Sequence, residues 1–155
     1  MKVIFLDFDG VLNPLGNEDI RHKLWHLDNS IKSKDKYGYL FDETCMRWLH
    51  YILLKTDAKV VVSSSWRWIG LDDMQSMWQS RNYPQRIHDI TRLSTFEKRS
   101  EDIDIYVNQH NICKYCIIDD IDMFQKHQAD KLVITDAGVG LERKSALKAI
   151  EILNS

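Results

Sequence analysis

Apolar residues recur along this chain in two periods, and the two alternate. Short continuous runs stand at Val3-Ile4-Phe5-Leu6, Val60-Val61-Val62, Cys116-Ile117-Ile118 and Leu132-Val133-Ile134. Runs this short, rich in β-branched residues and bounded by turn formers, predict strands buried on both faces. Between them the spacing becomes helical. Asp42 caps a segment to residue 56 with apolar residues at Cys45, Trp48, Leu49, Ile52 and Leu53, one face of a helix. Segments 71–80, 100–109 and 141–153 predict further helices, 86–90 a short strand and 121–128 a short helix. Residues 11–41 keep neither period. Asn13-Pro14, Gly16-Asn17 and Tyr37-Gly38-Tyr39 predict a long loop or flap there, with a short helix near 18–26. The alternation as a whole predicts an α/β three-layer sandwich: a Rossmann-like parallel sheet with helices on both faces. At 155 residues, residues 1–155 are expected to form a single domain.

In such a sheet, ligands gather at the carboxyl ends of the strands. The first run ends in Asp7 and Asp9, with Gly10 after them. The second ends in Ser63, Ser64 and Ser65, followed by Arg67. The third ends in Asp119 and Asp120, and Lys98-Arg99 precedes the helix that feeds it. Asp-x-Asp-Gly by itself is most often only a turn. Four converging carboxylates are another matter, because they cannot all stay ionised without a counter-charge. A hard divalent cation such as magnesium supplies one, accepting carboxylates together with phosphate oxygens. Serine hydroxyls and a Lys/Arg pair suit the phosphate, and the set reads as a phosphoryl-transfer site. Asp7 can then attack phosphorus as a nucleophile, and Asp9 can serve as the general acid and base.

The motifs Phe5-Leu6-Asp7-Phe8-Asp9-Gly10-Val11-Leu12-Asn13, VVVSSSWR, KR before SEDI, and CIIDD follow one another over residues 3 to 120. In this order they resemble the haloacid dehalogenase (HAD) superfamily of phosphohydrolases, and KLVITDAGVGL resembles the closing strand and turn of its small capless members. The resemblance implies Asp7 as nucleophile and magnesium ligand, and Asp9 as acid/base whose backbone carbonyl also touches the metal. It implies Asp119 and Asp120 as metal ligands, directly or through water. It puts Ser63 at the phosphate, with Ser64 as the competing register. For the catalytic base of the third motif it prefers Lys98 over Arg99, since the family more often uses lysine; Arg99 then joins the phosphate-binding set. The two cap positions, 11–41 and 68–97, each hold about 30 residues, so no large cap domain is expected. An open site suits large substrates.

Substrate class is less clearly written. Arg67 lies between Trp66 and Trp68, a phosphate-binding fork between two stacking surfaces. Short capless domains with this strand end resemble the HAD domains of RNA-repair and polynucleotide end-processing proteins, which points to nucleic-acid 3′-phosphate ends. Against this, the tryptophans also suit packing beneath the flap. The formal net charge of −2 supplies no basic field for a polynucleotide. A phosphatase of a small metabolite or phosphoprotein, or a non-catalytic phosphate-binding or signalling module, stays open. A receiver domain has its adjacent acidic pair after the first strand, so the order here is wrong for one.

The remaining features read as structural. The three cysteines include Cys113-x-x-Cys116, which lacks a second pair for zinc. His22 and His26 share a helical i, i+4 spacing that no acidic motif accompanies. Asp122 suits a cap, and Asp136 and Gly138 suit a turn. The first apolar run is too short for a signal segment, and no stretch approaches a membrane span, so the expected location is the cytoplasm.

Overall fold

Val3, Ile4, Phe5 and Leu6 are fully buried, and the strand they form lies at the centre of the sheet. The computed structural model describes residues 1–16 and 33–155. In it β1 (Lys2–Leu6) is flanked by β4 (Lys59–Val62) on one side and β6 (Lys114–Asp119) on the other. β5 (Ile87–Ile90) extends the β4 side and β7 (Leu132–Ile134) the β6 side. The order β5-β4-β1-β6-β7 is parallel throughout. The chain therefore builds outward from β1, then crosses over and builds the other way. That reversal leaves a crevice at the carboxyl ends of β1 and β6, where doubly wound sheets bind ligands.

The three layers follow from the period of two along each strand. Ile4, Leu6, Val60, Val62, Cys116 and Ile118 point to one face. There they meet α1 (Glu43–Thr56), α2 (Leu71–Ser80) and α4 (Arg143–Asn154). Val3, Phe5, Val61, Tyr115 and Ile117 point to the other face, against Ile103 and Tyr106 of α3 (Arg99–Gln109). The predicted Asp42 cap is made: its carboxylate accepts from the Thr44 and Cys45 amides at 2.9 and 3.0 Å.

Two expectations need correction. Residues 121–128 are not one short helix. The helical turn there is a 3₁₀ segment that starts later, at Lys126–Lys131, because the Asp119 carboxylate accepts the Ile121 amide and turns the chain first. The flap region is not wholly irregular, since β2 (Lys34–Asp35) and β3 (Gly38–Tyr39) pair as a small antiparallel ribbon. Ser65–Ile69 is a 3₁₀ turn that the apolar pattern did not announce. The helix expected near 18–26, with His22 and His26, lies outside the described residues. The other cap position, 68–97, is occupied by α2 and β5 of the core, so no separate cap is built there.

Candidate active site

Asp7 stands one residue beyond β1. Its amide still bonds to the Ile118 carbonyl at 3.0 Å, so the strand's pairing fixes the side chain. One carboxylate oxygen accepts the Phe8 amide at 2.8 Å. The other accepts from Arg99 Nη1 at 2.8 Å, and the same nitrogen reaches an Asp119 oxygen at 2.5 Å. Asp119 ends β6, and Arg99 is the first residue of α3. Asp7, Asp119 and Asp120 each bring a carboxylate oxygen within 4.8 Å of the others. Asp7, Asp119 and Arg99 are buried.

The turn after β1 is shaped to meet this cluster. The Phe8 carbonyl accepts from Leu12 and Asn13 at 2.8 and 2.9 Å, closing the chain tightly. Gly10 sits at φ +75°, and a Cβ there would lie 2.5 Å from Cγ of Asp120. Only glycine lets this turn approach the loop after β6 so closely. Thr135, beyond β7, donates its hydroxyl to the Gly10 carbonyl at 2.9 Å and its amide to the Asp119 carbonyl at 3.0 Å. Both contacts tie the loop after β7 to the same corner.

Ser63 and Ser64 enter from β4. The Ser63 amide bonds to the Leu6 carbonyl at 2.9 Å, which sets it beside Asp7. Its hydroxyl is buried and has no hydrogen-bond partner among the described residues. The Ser64 hydroxyl accepts the Trp66 amide at 3.4 Å, capping the 3₁₀ turn. Electrostatically the cluster has a surplus of carboxylate. Burial raises the Asp7 pKa, opposed by Arg99 and by the Ser64 and Phe8 donors. Burial, together with the charge of Asp7, pushes Asp119 up to about 7 against the pull of Arg99. Arg99 itself is held more firmly protonated by the two carboxylates, which outweigh its burial.

The profile of the HAD domain in Swiss Army Knife RNA repair proteins matches residues 3–146. The chain belongs to this family. No curated protein and no solved structure matches it. Membership in this HAD family implies phosphohydrolase-type chemistry in an RNA-repair setting. HAD domains generally work with magnesium, and the donor set here fits that ion: three carboxylates, all hard oxygen ligands, with one guanidinium between them.

The geometry divides the residues singled out from the sequence. It brings together Asp7, Asp119, Asp120, Ser63, Ser64 and Arg99. Asp9 sends its carboxylate elsewhere, accepting from Asn13 Nδ2 at 3.1 Å and Trp66 Nε1 at 3.0 Å. The preference for Lys98 is corrected: Lys98 is exposed at the end of the 3₁₀ turn Phe96–Lys98, whereas Arg99 contacts the carboxylates. The helix starts at Arg99, and its first side chain turns inward. Arg67 as a phosphate fork is likewise corrected. It is buried and donates to the Ser64 carbonyl, Thr91 Oγ1 and the Arg92 carbonyl at 2.6, 2.5 and 2.8 Å, with Asp102 at 3.6 Å. It braces the loops after β4 and β5. Trp66 is half-buried against Phe8 and Phe41, and Trp68 is exposed.

Asn13, Thr135 and Asp102 were not singled out from the sequence. Asp102 had a legible signal, since it lies three residues after Arg99 on a helix and therefore on the same face. Cys116 is buried and Cys113 exposed, both as free thiols. Asp136 accepts the Gly138 amide, the turn role expected of it. Asp122 is exposed and caps no helix. Among the described residues no helix is long and apolar enough to cross a membrane.

Proposed function

We propose that this chain is a magnesium-dependent phosphomonoesterase that works through Asp7 and removes 3′-phosphates from nucleic-acid ends. The observation that carries the reading is the corner itself: Asp7, Asp119 and Asp120 within 4.8 Å, bridged by Arg99, beside a buried Ser63 hydroxyl without a partner among the described residues. A phosphate group would supply the acceptor that the Ser63 hydroxyl lacks among the described residues, and a divalent cation would offset the surplus of carboxylate.

The chemistry runs in two halves. An Asp7 oxygen attacks phosphorus, the bond from phosphorus to the sugar oxygen breaks, and Asp9 delivers a proton to that oxygen. Water then attacks the aspartyl-phosphate, Asp9 takes its proton, and inorganic phosphate leaves Asp7 free again. Asn13 and Trp66 hold the Asp9 carboxylate in place for both transfers. Arg99 takes the charge of the phosphoryl oxygens. Asp7, Asp119, Asp120 and the Asp9 backbone carbonyl would hold magnesium, which when bound neutralises charge on the phosphate and the nucleophile. The test is phosphate release from a short RNA carrying a 3′-phosphate, with and without EDTA. Turnover that needs magnesium and vanishes in Asp7→Asn is expected. Turnover that survives either treatment would overturn the mechanism.

A further inference from the structure

The loops at the carboxyl ends of the strands differ sharply in charge from one side of the site to the other. Residues 120–125 after β6 and 135–142 after β7 carry Asp120, Asp122, Asp136 and Glu142 and no basic residue, Lys126 and Lys131 lying further on in the 3₁₀ turn that leads away to β7. Residues 63–70 after β4 and 91–98 after β5 expose Arg92 and Lys98 against Glu97 alone, Arg67 being buried beside Asp102. A polyanion leaving the site is repelled on the first side and attracted on the second. The attractive side also holds an unusual aromatic. Trp68 is 75 % exposed, and it is the one aromatic among the exposed large apolar side chains of the described strand-end loops.

The mounting of Trp68 is rigid. A 3₁₀ turn has three residues per turn, so Ser65 and Trp68 eclipse one another on one side, and both are exposed. The other two sides are anchored: Trp66 bonds to Asp9, and Arg67 bonds to Thr91 and the Arg92 carbonyl. The indole is thus held out over solvent by a turn that begins at the site. At the rise of a 3₁₀ helix its Cα lies about 8 Å along the axis from Ser64.

We infer that the loops after β4 and β5 are the landing surface for an unpaired RNA strand, with Trp68 as the stacking platform for a base near the terminal phosphate. Arg92, whose Nε is fixed by Asp102 while its side chain stays 55 % exposed, and exposed Lys98 meet the phosphodiesters behind it. The strand is single because a base offers its face to an indole only when it is out of a duplex stack. The choice of RNA rests on the proposed end-processing reading.

The experiment measures binding of a short, end-labelled single-stranded RNA by fluorescence anisotropy. The RNA ends in a 3′-hydroxyl, so nothing is turned over. Trp68→Ala is expected to weaken binding about 5- to 100-fold, with Trp68→Phe restoring most of it and a blunt duplex insensitive to either change. Lys98→Gln should reduce the slope of log affinity against log salt by about 0.7. Equal affinity of wild type and Trp68→Ala, a preference for the duplex, or no binding by wild type would each overturn the inference. Phosphate release from the 3′-phosphorylated RNA is read separately. If Trp68 governs binding but no phosphate appears, the platform stands and the phosphatase reading falls. If phosphate is released but Trp68→Ala binds as wild type does, the phosphatase reading stands and the platform falls.

Discussion

Two buried ionic clusters lie one helical turn apart on α3, and they are built on opposite principles. At Asp102 one carboxylate, 1 % exposed, is surrounded by donors. It accepts from Arg92 Nε at 2.9 Å and from the Ser94 hydroxyl, with Arg67 at 3.6 Å. Arg67 in turn fills its remaining contacts with Ser64, Thr91 and Arg92. At Arg99 the ratio is inverted: one guanidinium serves Asp7 and Asp119, Asp120 stands beside them, and the Ser63 hydroxyl is left without a described partner. The first cluster is closed around its carboxylate, and only the solvent-facing side of Arg92 is left over for a ligand. The second is carboxylate-rich and incomplete, as a site that receives a cation and an anion must be. A buried charge therefore says little about function until its partners are counted.

The contrast breaks most visibly at Asp7. Asp7→Asn should lower turnover of a 3′-phosphorylated RNA by more than about 10⁴-fold, as loss of a covalent nucleophile does. The same change should leave metal-free thermal stability equal or higher, because it removes one of two repelling carboxylates. Asp102→Asn should do the reverse. It leaves buried Arg67 without its counter-charge, and removal of one partner of a buried pair costs about 3–5 kcal/mol, read from urea unfolding. If Asp102→Asn proves as stable as wild type, the closed cluster is not the brace described here.

Arg99 and Lys98 sharpen the comparison at the next scale down. Arg99→Gln should reduce turnover by roughly 10²-fold, the scale of losing one charge-stabilising donor. Lys98→Gln should stay within about threefold on a small aryl phosphate, since a solvent-exposed charge is worth little. Steady-state kinetics of the pair, run side by side, decides the matter. A larger loss from Lys98 would return it to the site.

That pair also shows where the sequence was legible and where it was not. The strands were legible because burial on both faces forces continuous apolar runs, and the strand-end carboxylates followed from them. Asp7, Asp119 and Asp120 could be placed together from the pattern alone, since parallel strands put their carboxyl ends on one edge. Lys98 against Arg99 was not legible, because neighbouring residues at a helix start differ by about 100° in direction, and pattern does not fix where the helix begins. Arg67 was hidden for a related reason. A 3₁₀ turn after Ser64 rotates it inward to Thr91, and no apolar period signals so short a turn. The ribbon Lys34–Asp35 with Gly38–Tyr39 escaped because two-residue strands carry no period at all.

The smallest effect is the dependence of metal-free stability on pH, and it reports the surplus charge directly. Burial and the charge of Asp7 push the Asp119 carboxyl from its ordinary 3.8 up to about 7. Between about pH 4 and pH 7 the folded protein therefore keeps a proton that the unfolded chain has already released. Unfolding then releases protons, so stability falls as pH rises through this window. Burial moves Asp7 in the same direction. Scanning calorimetry without metal should show the melting temperature dropping from pH 4 to pH 7. Magnesium, which binds the ionised carboxylates of the folded state alone, should flatten or reverse that slope. Asp102→Asn should lower the whole curve, because it leaves buried Arg67 without its counter-charge. A metal-free curve that rises through the window would mean that Arg99 fully compensates both carboxylates, and the corner would be as closed as its neighbour.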